Sequence, residues 1–212
     1  MQPTAVALKN RGIVCHTPTP VRVEGNISAW RDWPMALLET IPQSSDTVVV
    51  GHSAGGLLAA WLASKLSAHS LICLDASMPP ESGATGPAEP WFYDFVHSLP
   101  QQNGHLPPWN LWWESDILEN TQMSPVFKET FIAELPTLHI DWFDDSFDMP
   151  DWSSCQRGFL QTSSVFEKEA ARAKKRGWHV RSIQGTHLHP ALKPDETADA
   201  LIELFHIMSK NS

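Results

Sequence analysis

The stretch Thr47-Val48-Val49-Val50-Gly51-His52-Ser53-Ala54-Gly55-Gly56 decides the fold. Its first four residues are β-branched and spell a short strand. The mostly apolar run from Ala54 to Ala68 predicts a helix directly after it. Between them, Gly51-His52-Ser53-Ala54-Gly55 has the spacing of a nucleophile elbow, in which a tight strand-to-helix turn lifts a serine above the sheet edge. Glycines flank such a serine because side chains there would collide. The helix N-terminus stabilises negative charge beside Ser53, and the N–H of Ala54 can donate to an oxyanion. The competing reading, an ordinary Gly-rich turn, does not need both a strand before and a helix after it.

Further strands lie outward from this point. Leu71 to Leu74, Gly158 to Thr162 and Val180 to Ile183 follow it, and Ile13-Val14-Cys15 precedes it, stopped by Thr17-Pro18-Thr19-Pro20. Apolar strands without alternation imply a parallel sheet covered on both faces. Helices are expected over Thr4–Asn10, over Ser28–Thr40 with Ser28 as its cap, and over Ser164–Arg176 with Gly177 as its stop. A final helix starts at Pro194, with Asp195 and Glu196 in its first turn and Ala198, Leu201, Leu204 and Phe205 on its apolar face. The alternation of strand and helix gives an α/β fold class: a compact, mostly parallel sheet with helices on both faces.

The segment from Pro79 to about Trp152 breaks the pattern. It holds six of the ten tryptophans and little strand signal, with short helices expected near Trp91–Leu99 and Ser124–Leu135. It reads as an insertion, residues 79–152, in a single domain of residues 1–212. Its tryptophans are core packing for a segment poor in regular structure, or a surface turned to a substrate.

Composition excludes several function classes. Of 212 residues, 42% are hydrophobic and 18% charged, which is globular rather than disordered. From Ala76 to Asp151 there are 13 acids and one base, Lys128, a net of −12, so nucleic acid is a poor partner. Such a segment favours a neutral or cationic small molecule if its carboxylates line an entrance. No apolar run reaches the ~18 residues of a membrane span, and no leader pattern opens the chain. A membrane partner is therefore not expected, and the cytoplasm is the expected location. Cys15, Cys73 and Cys155 fit neither a disulfide framework nor a metal spacing. Cys15 and Cys73 sit in apolar runs and read as buried small hydrophobes.

A serine needs a base. His187 and His189, in Gly185-Thr186-His187-Leu188-His189-Pro190, follow a late strand and open at the elbow's end of the sheet. His52 adjoins the serine and reads as packing or pocket wall, since neighbours on an elbow point apart.

With these residues in view, the chain resembles the α/β-hydrolase superfamily, in particular short bacterial hydrolases of esterase type. The resemblance rests on Gly51 to Gly55, on Leu71 to Pro79 as the next strand and its exit loop, on Arg176-Gly177-Trp178, and on the block Gly185 to Leu201. It implies a catalytic histidine ahead of a proline-started terminal helix, which selects His187 over His189. It makes residues 79–152 the variable cap-like part. Many relatives carry the triad acid after the strand before last, but Leu160-Gln161-Thr162-Ser163-Ser164-Val165 has no carboxylate. Others place it after the strand following the elbow, where this chain has Asp75. The other reading of Asp75 is a strand-end capper of local backbone. The superfamily also carries strands and a His-Gly loop ahead of the elbow, and the loop supplies a second oxyanion N–H. Here His16 is followed by Thr17-Pro18, and Ser77 or Thr17 are the substitutes at hand.

The resemblance implies a serine hydrolase acting on a small acyl substrate, an ester, thioester or amide. Ser53 is the nucleophile, His187 the base, Asp75 its orienter and Ala54 the oxyanion donor. No metal or organic cofactor is implied. Two alternatives stay open: a lyase or perhydrolase-like reaction on the same triad, and a non-catalytic binding protein or inactive remnant that kept the elbow.

Overall fold

The computed structural model describes residues 1–18, 22–23, 26–27, 29–42, 44, 46–119 and 121–210. In chain order its elements are α1 (Gln2–Asn10), β1 (Arg22–Val23), β2 (Asn26–Ile27), α2 (Trp33–Leu38), β3 (Val48–Ser53), α3 (Gly55–Lys65), β4 (Ser70–Ala76), β5 (Gly83–Thr85) and α4 (Pro90–Ser98). Then come α5 (Pro125–Glu134), β6 (Phe147–Met149), β7 (Gln156–Gln161), α6 (Glu167–Lys175), β8 (His179–Ser182), α7 (His189–Leu192) and α8 (Pro194–Ser209). Packing divides the chain into two units. Met1–Thr19, Pro34–Thr85 and Asp148–Ser212 form the first, and Pro20–Trp33 with Gly86–Phe147 the second.

The first unit is built on a sheet of order β3-β4-β7-β8 with every pairing parallel. All seven residues of β4 are buried, as the unbroken apolar run requires of a strand paired on both edges and covered on both faces. On one face Ile72, Leu74 and Leu160 pack on Ala200, Leu201, Leu204 and Met208 of α8, with Val48 and Val50 against the same cluster. Gly51 alternates with Val50 and meets α3 on the other face, where a Cβ would come within 2.7 Å of the Ala59 methyl. Helix α1 is fastened to the C-terminal elements. Arg11 bridges Asp195 and Asp199 at 2.9 and 2.7 Å, and the buried Thr4 hydroxyl donates to the Pro190 carbonyl at 2.5 Å.

Two expectations near the N-terminus change. Ile13-Val14-Cys15 is not a strand: Val14 is 83% exposed and Cys15 is only half-buried. The physical reason is pairing. Among the described residues β3 pairs with β4 alone: the segment makes no ladder with the other edge of β3, and β-branched residues do not make a strand unaided. Among the described residues no strand ahead of β3 joins this sheet, where the resembled fold has them. The helix expected from Ser28 to Thr40 is a 3₁₀ turn, Trp30–Asp32, followed by α2, and its cap Ser28 lies outside the described residues. Helix α7, a single turn with Pro190 at its start, has no counterpart among the expected helices.

The second unit is an aromatic cluster. Trp30, fully buried, meets Trp33, Trp142 and Phe147 at ring distances of 5.8, 5.1 and 5.3 Å. Trp112, Phe143, Val96 and Leu106 form its second focus. Arg31 Nε lies 2.7 Å from Asp145 Oδ1 and the Arg31 N–H donates to Oδ2 at 2.8 Å, so a segment distant in sequence is pinned here. Trp152 belongs to the first unit, where its Nε1 donates to the Pro80 carbonyl and its ring meets Trp178. Among the described residues no helix is long and apolar enough to cross a membrane.

Candidate active site

Strand β3 ends in a turn that the backbone does not adopt freely. Ser53 has φ of 59° and Asp75, on the adjacent strand, φ of 42°. The pairing register shifts between His52 and Ser53, so that Ser53 faces Ala76 while His52 faces Leu74. A non-glycine residue held in the left-handed region stores roughly 1–3 kcal/mol, and such residues gather at functional sites. The Ser77 N–H donates to the Ser53 carbonyl at 3.1 Å and helps hold the turn.

Not all the elbow glycines serve the same need. A Cβ on Gly51 would lie 2.3 Å from the Gly55 carbonyl oxygen, and one on Gly56 would lie 2.4 Å from that of Ser77. A Cβ on Gly55 would meet nothing within 4 Å. Gly51→Ala is therefore expected to lose about 3 kcal/mol of stability, a fall of roughly 10 °C in Tm, because backbone must move to admit the methyl. Gly55→Ala is expected to keep the wild-type Tm within a few degrees. Thermal unfolding of the two variants side by side checks this.

Asp75 and His187 are brought together. His187 Nδ1 donates to Asp75 Oδ2 at 2.8 Å, across 112 residues of sequence. The Asp75 side chain is wholly buried and accepts three more hydrogen bonds. The Thr162 and Ser163 N–H groups reach Oδ1 at 3.0 and 2.9 Å, and the Ser163 hydroxyl reaches Oδ2 at 2.6 Å. Burial pushes this carboxyl up, but the bonds from His187, Ser163 and Thr162 outweigh it and hold the group below the ordinary aspartate range. The loop that lacks a carboxylate thus supplies the donors for one. Thr162 and Ser163 went unnoticed as site residues, although a strand-end Thr-Ser pair at an empty acid position is a legible signal.

His189 goes elsewhere. It is buried against Gly185, where a Cβ would lie 2.2 Å from its Nδ1, and its Nε2 lies 3.3 Å from Glu196 Oε2. It shapes the loop that presents His187. The loop is further tied by Thr162 Oγ1, which donates to the Thr186 carbonyl at 2.9 Å. Two rings stack on the His187 imidazole: His52 at 4.5 Å and Phe166 at 5.2 Å. Ala54 directly precedes α3, so its N–H lies outside the intrahelical ladder and at the positive end of the helix. Thr17 Oγ1 accepts from Gln2 Nε2 at 2.9 Å. Among the described residues no three His, Cys, Asp or Glu side chains converge as metal ligands.

The arrangement has the parts that acyl transfer needs: a serine on a strained turn, an imidazole oriented by a buried carboxylate, and an N–H at a helix start. Among curated proteins none matches the sequence. Among solved structures the chain is similar to a variant of tomato methylketone synthase I complexed with beta-ketoheptanoate. The identity is 15%, over 98% of this chain and 91% of that one, with a TM-score of 0.69. It is also similar to a variant of the pyrethroid hydrolase PytH, at 17% identity over 99% of this chain and 92% of that one, with a TM-score of 0.66. At such identities the likeness speaks for the fold, and it is to the wider superfamily rather than to short bacterial esterases in particular. The sequence itself matches the alpha/beta hydrolase family over residues 6–200, and the chain belongs to that family.

Proposed function

We propose that the chain is a serine hydrolase that cleaves a carboxylic ester, thioester or amide through an acyl-enzyme. The observation that carries this reading is the 2.8 Å bond from His187 to the buried Asp75, on the strand beside a serine held at φ of 59°. Ser53 Oγ attacks the acyl carbon while His187 Nε2 takes its proton. The Ala54 N–H and the start of α3 receive the charge that develops on the carbonyl oxygen. The leaving group departs with the proton from His187. Water, deprotonated by the same nitrogen, attacks the acyl-serine, and the acid leaves as Ser53 regains its proton. Asp75, ionised, keeps the Nδ1 proton on His187 and stabilises the imidazolium.

Membership of the alpha/beta hydrolase family supports this chemistry. One similar structure is by name a pyrethroid hydrolase and another holds beta-ketoheptanoate, and both fit a small acyl substrate. The net −12 of residues 76–151 favours a neutral or cationic one if these carboxylates line the entrance. Three free cysteines suit a reducing compartment, which supports the cytoplasm.

Covalent labelling tests the reading. A fluorophosphonate probe is expected to form an adduct mapped to Ser53 in the folded wild type and none in Ser53→Ala. A folded wild type that does not react with the probe overturns the mechanism.

A further inference from the structure

We propose that His52 is a positioning residue for His187: one imidazole, by a hydrogen bond and by stacking, fastens the segment that carries the base to the residue that precedes the nucleophile. This rests on the reading of Ser53 and His187 given above, and it adds a part which that reading does not require. His52 Nε2 lies 2.9 Å from the main-chain carbonyl oxygen of His187. A carbonyl only accepts, so Nε2 carries the proton and donates. The two rings stack at 4.5 Å with 24° between their planes. Burial, and then the neighbouring His187, push the His52 imidazole down to about 3, so it stays neutral at working pH and holds that single tautomer. An imidazole so disposed is unfit as a base. Its one proton is already donated, and it takes up a second only in strong acid.

The geometry gives this ring a reason to be there. Ser53 and His187 come from opposite halves of the chain, and their alignment fixes the proton transfer. The backbone of His52 sets Ser53, and its side chain grips the main chain of His187. The spacing between nucleophile and base is thereby set by the length of one side chain. Asp75 controls only the Nδ1 side of the imidazole, and its bond leaves the ring free to tilt about that contact. Stacking by His52, with Phe166 stacked on the same imidazole, opposes the tilt, and the His52 bond to the carbonyl holds the backbone from which the ring hangs.

Three variants separate the two contributions. His52→Gln keeps a donor at nearly the same reach without a ring. His52→Phe keeps a ring without a donor, and His52→Ala keeps neither. Each is assayed with p-nitrophenyl acetate for kcat and KM separately, and by the far-downfield proton signal of His187 Nδ1, which reports its bond to Asp75 without turnover. The expected result is a fall in kcat of roughly 100-fold for His52→Ala and a smaller one, roughly 30-fold, for His52→Phe, with KM within about twofold, and recovery to within about fivefold of wild type in His52→Gln. The Nδ1 signal is expected in wild type and His52→Gln and broadened or lost in His52→Phe and His52→Ala. The proposal is overturned if folded His52→Phe keeps both the wild-type kcat and the signal, if the loss lies in KM, or if His52→Gln is no better than His52→Ala. A wild type that shows the signal, loses it in His52→Phe, yet hydrolyses no ester supports the clamp and overturns the hydrolase reading instead.

Discussion

Ser53→Ala is expected to lower kcat on a p-nitrophenyl ester by about a million-fold, with a fold and Tm close to wild type. The size follows from how such groups act. Nucleophile and base work as one unit, and removing the nucleophile loses nearly everything the unit supplies. What remains is a few thousand-fold over water, from the Ala54 N–H, the start of α3 and binding alone. The fold survives because alanine also carries a Cβ and meets the same difficulty at φ of 59° as serine does. Among the described residues the Ser53 hydroxyl has no hydrogen-bond partner to lose. Steady-state kinetics beside thermal unfolding check both halves. A Ser53→Ala protein that keeps even a hundredth of the wild-type kcat contradicts the mechanism.

Asp75→Asn is expected to lower kcat by about ten-thousand-fold, by a different route. The amide NH₂ of asparagine turns a donor towards His187 Nδ1, which must then accept. The imidazole proton moves to Nε2, the nitrogen that should receive the serine proton. The geometry persists and the tautomer is wrong. Stability changes as well, with a definite pH dependence. Asp75 is held below its ordinary range in the folded protein, so the unfolded chain binds its proton first as pH falls. The stability it contributes is full above the unfolded value near 3.9 and is lost as pH drops through the lower folded value. The gap in Tm between wild type and Asp75→Asn is expected to be constant from about pH 5 to 8 and to narrow in acid. A gap that widens below pH 4 contradicts the assignment of this carboxylate as ionised and fully bonded.

The readable parts of the sequence were those where local chemistry and global fold agree. Val48 to Val50 is a strand because its residues are β-branched and β4 pairs along it. Gly51 is a glycine because a carbonyl sits where its Cβ would be. Pro194 begins a helix because its missing N–H is not needed there. Ile13-Val14-Cys15 failed for a reason outside itself. A strand is a pairing relation, and no residue in that segment reports whether a partner stands beside it. His187 was separable from His189 only by a register learned from relatives. The two differ by which one reaches Asp75, a contact across 112 residues that no local pattern encodes. Sequence position makes His52 a packing residue, and its ring does pack. Its bond to the His187 carbonyl depends on a loop that returns from the far end of the chain.

The contact between Asp75 and His187 also bears on the order of events in synthesis. Ser53, Asp75 and the β3-β4 pair leave the ribosome early, and closing that parallel pair needs only the α3 crossover. The imidazole arrives more than a hundred residues later, after β7 and β8 have added to the sheet. Contacts of such high sequence separation form late and slowly, since the chain entropy must be lost before they return any energy. A nascent or stalled chain can therefore hold the strained serine turn while having no means of activating it. On the proposed mechanism, reactivity at Ser53 is expected to start only when β8 and the loop that follows it have docked.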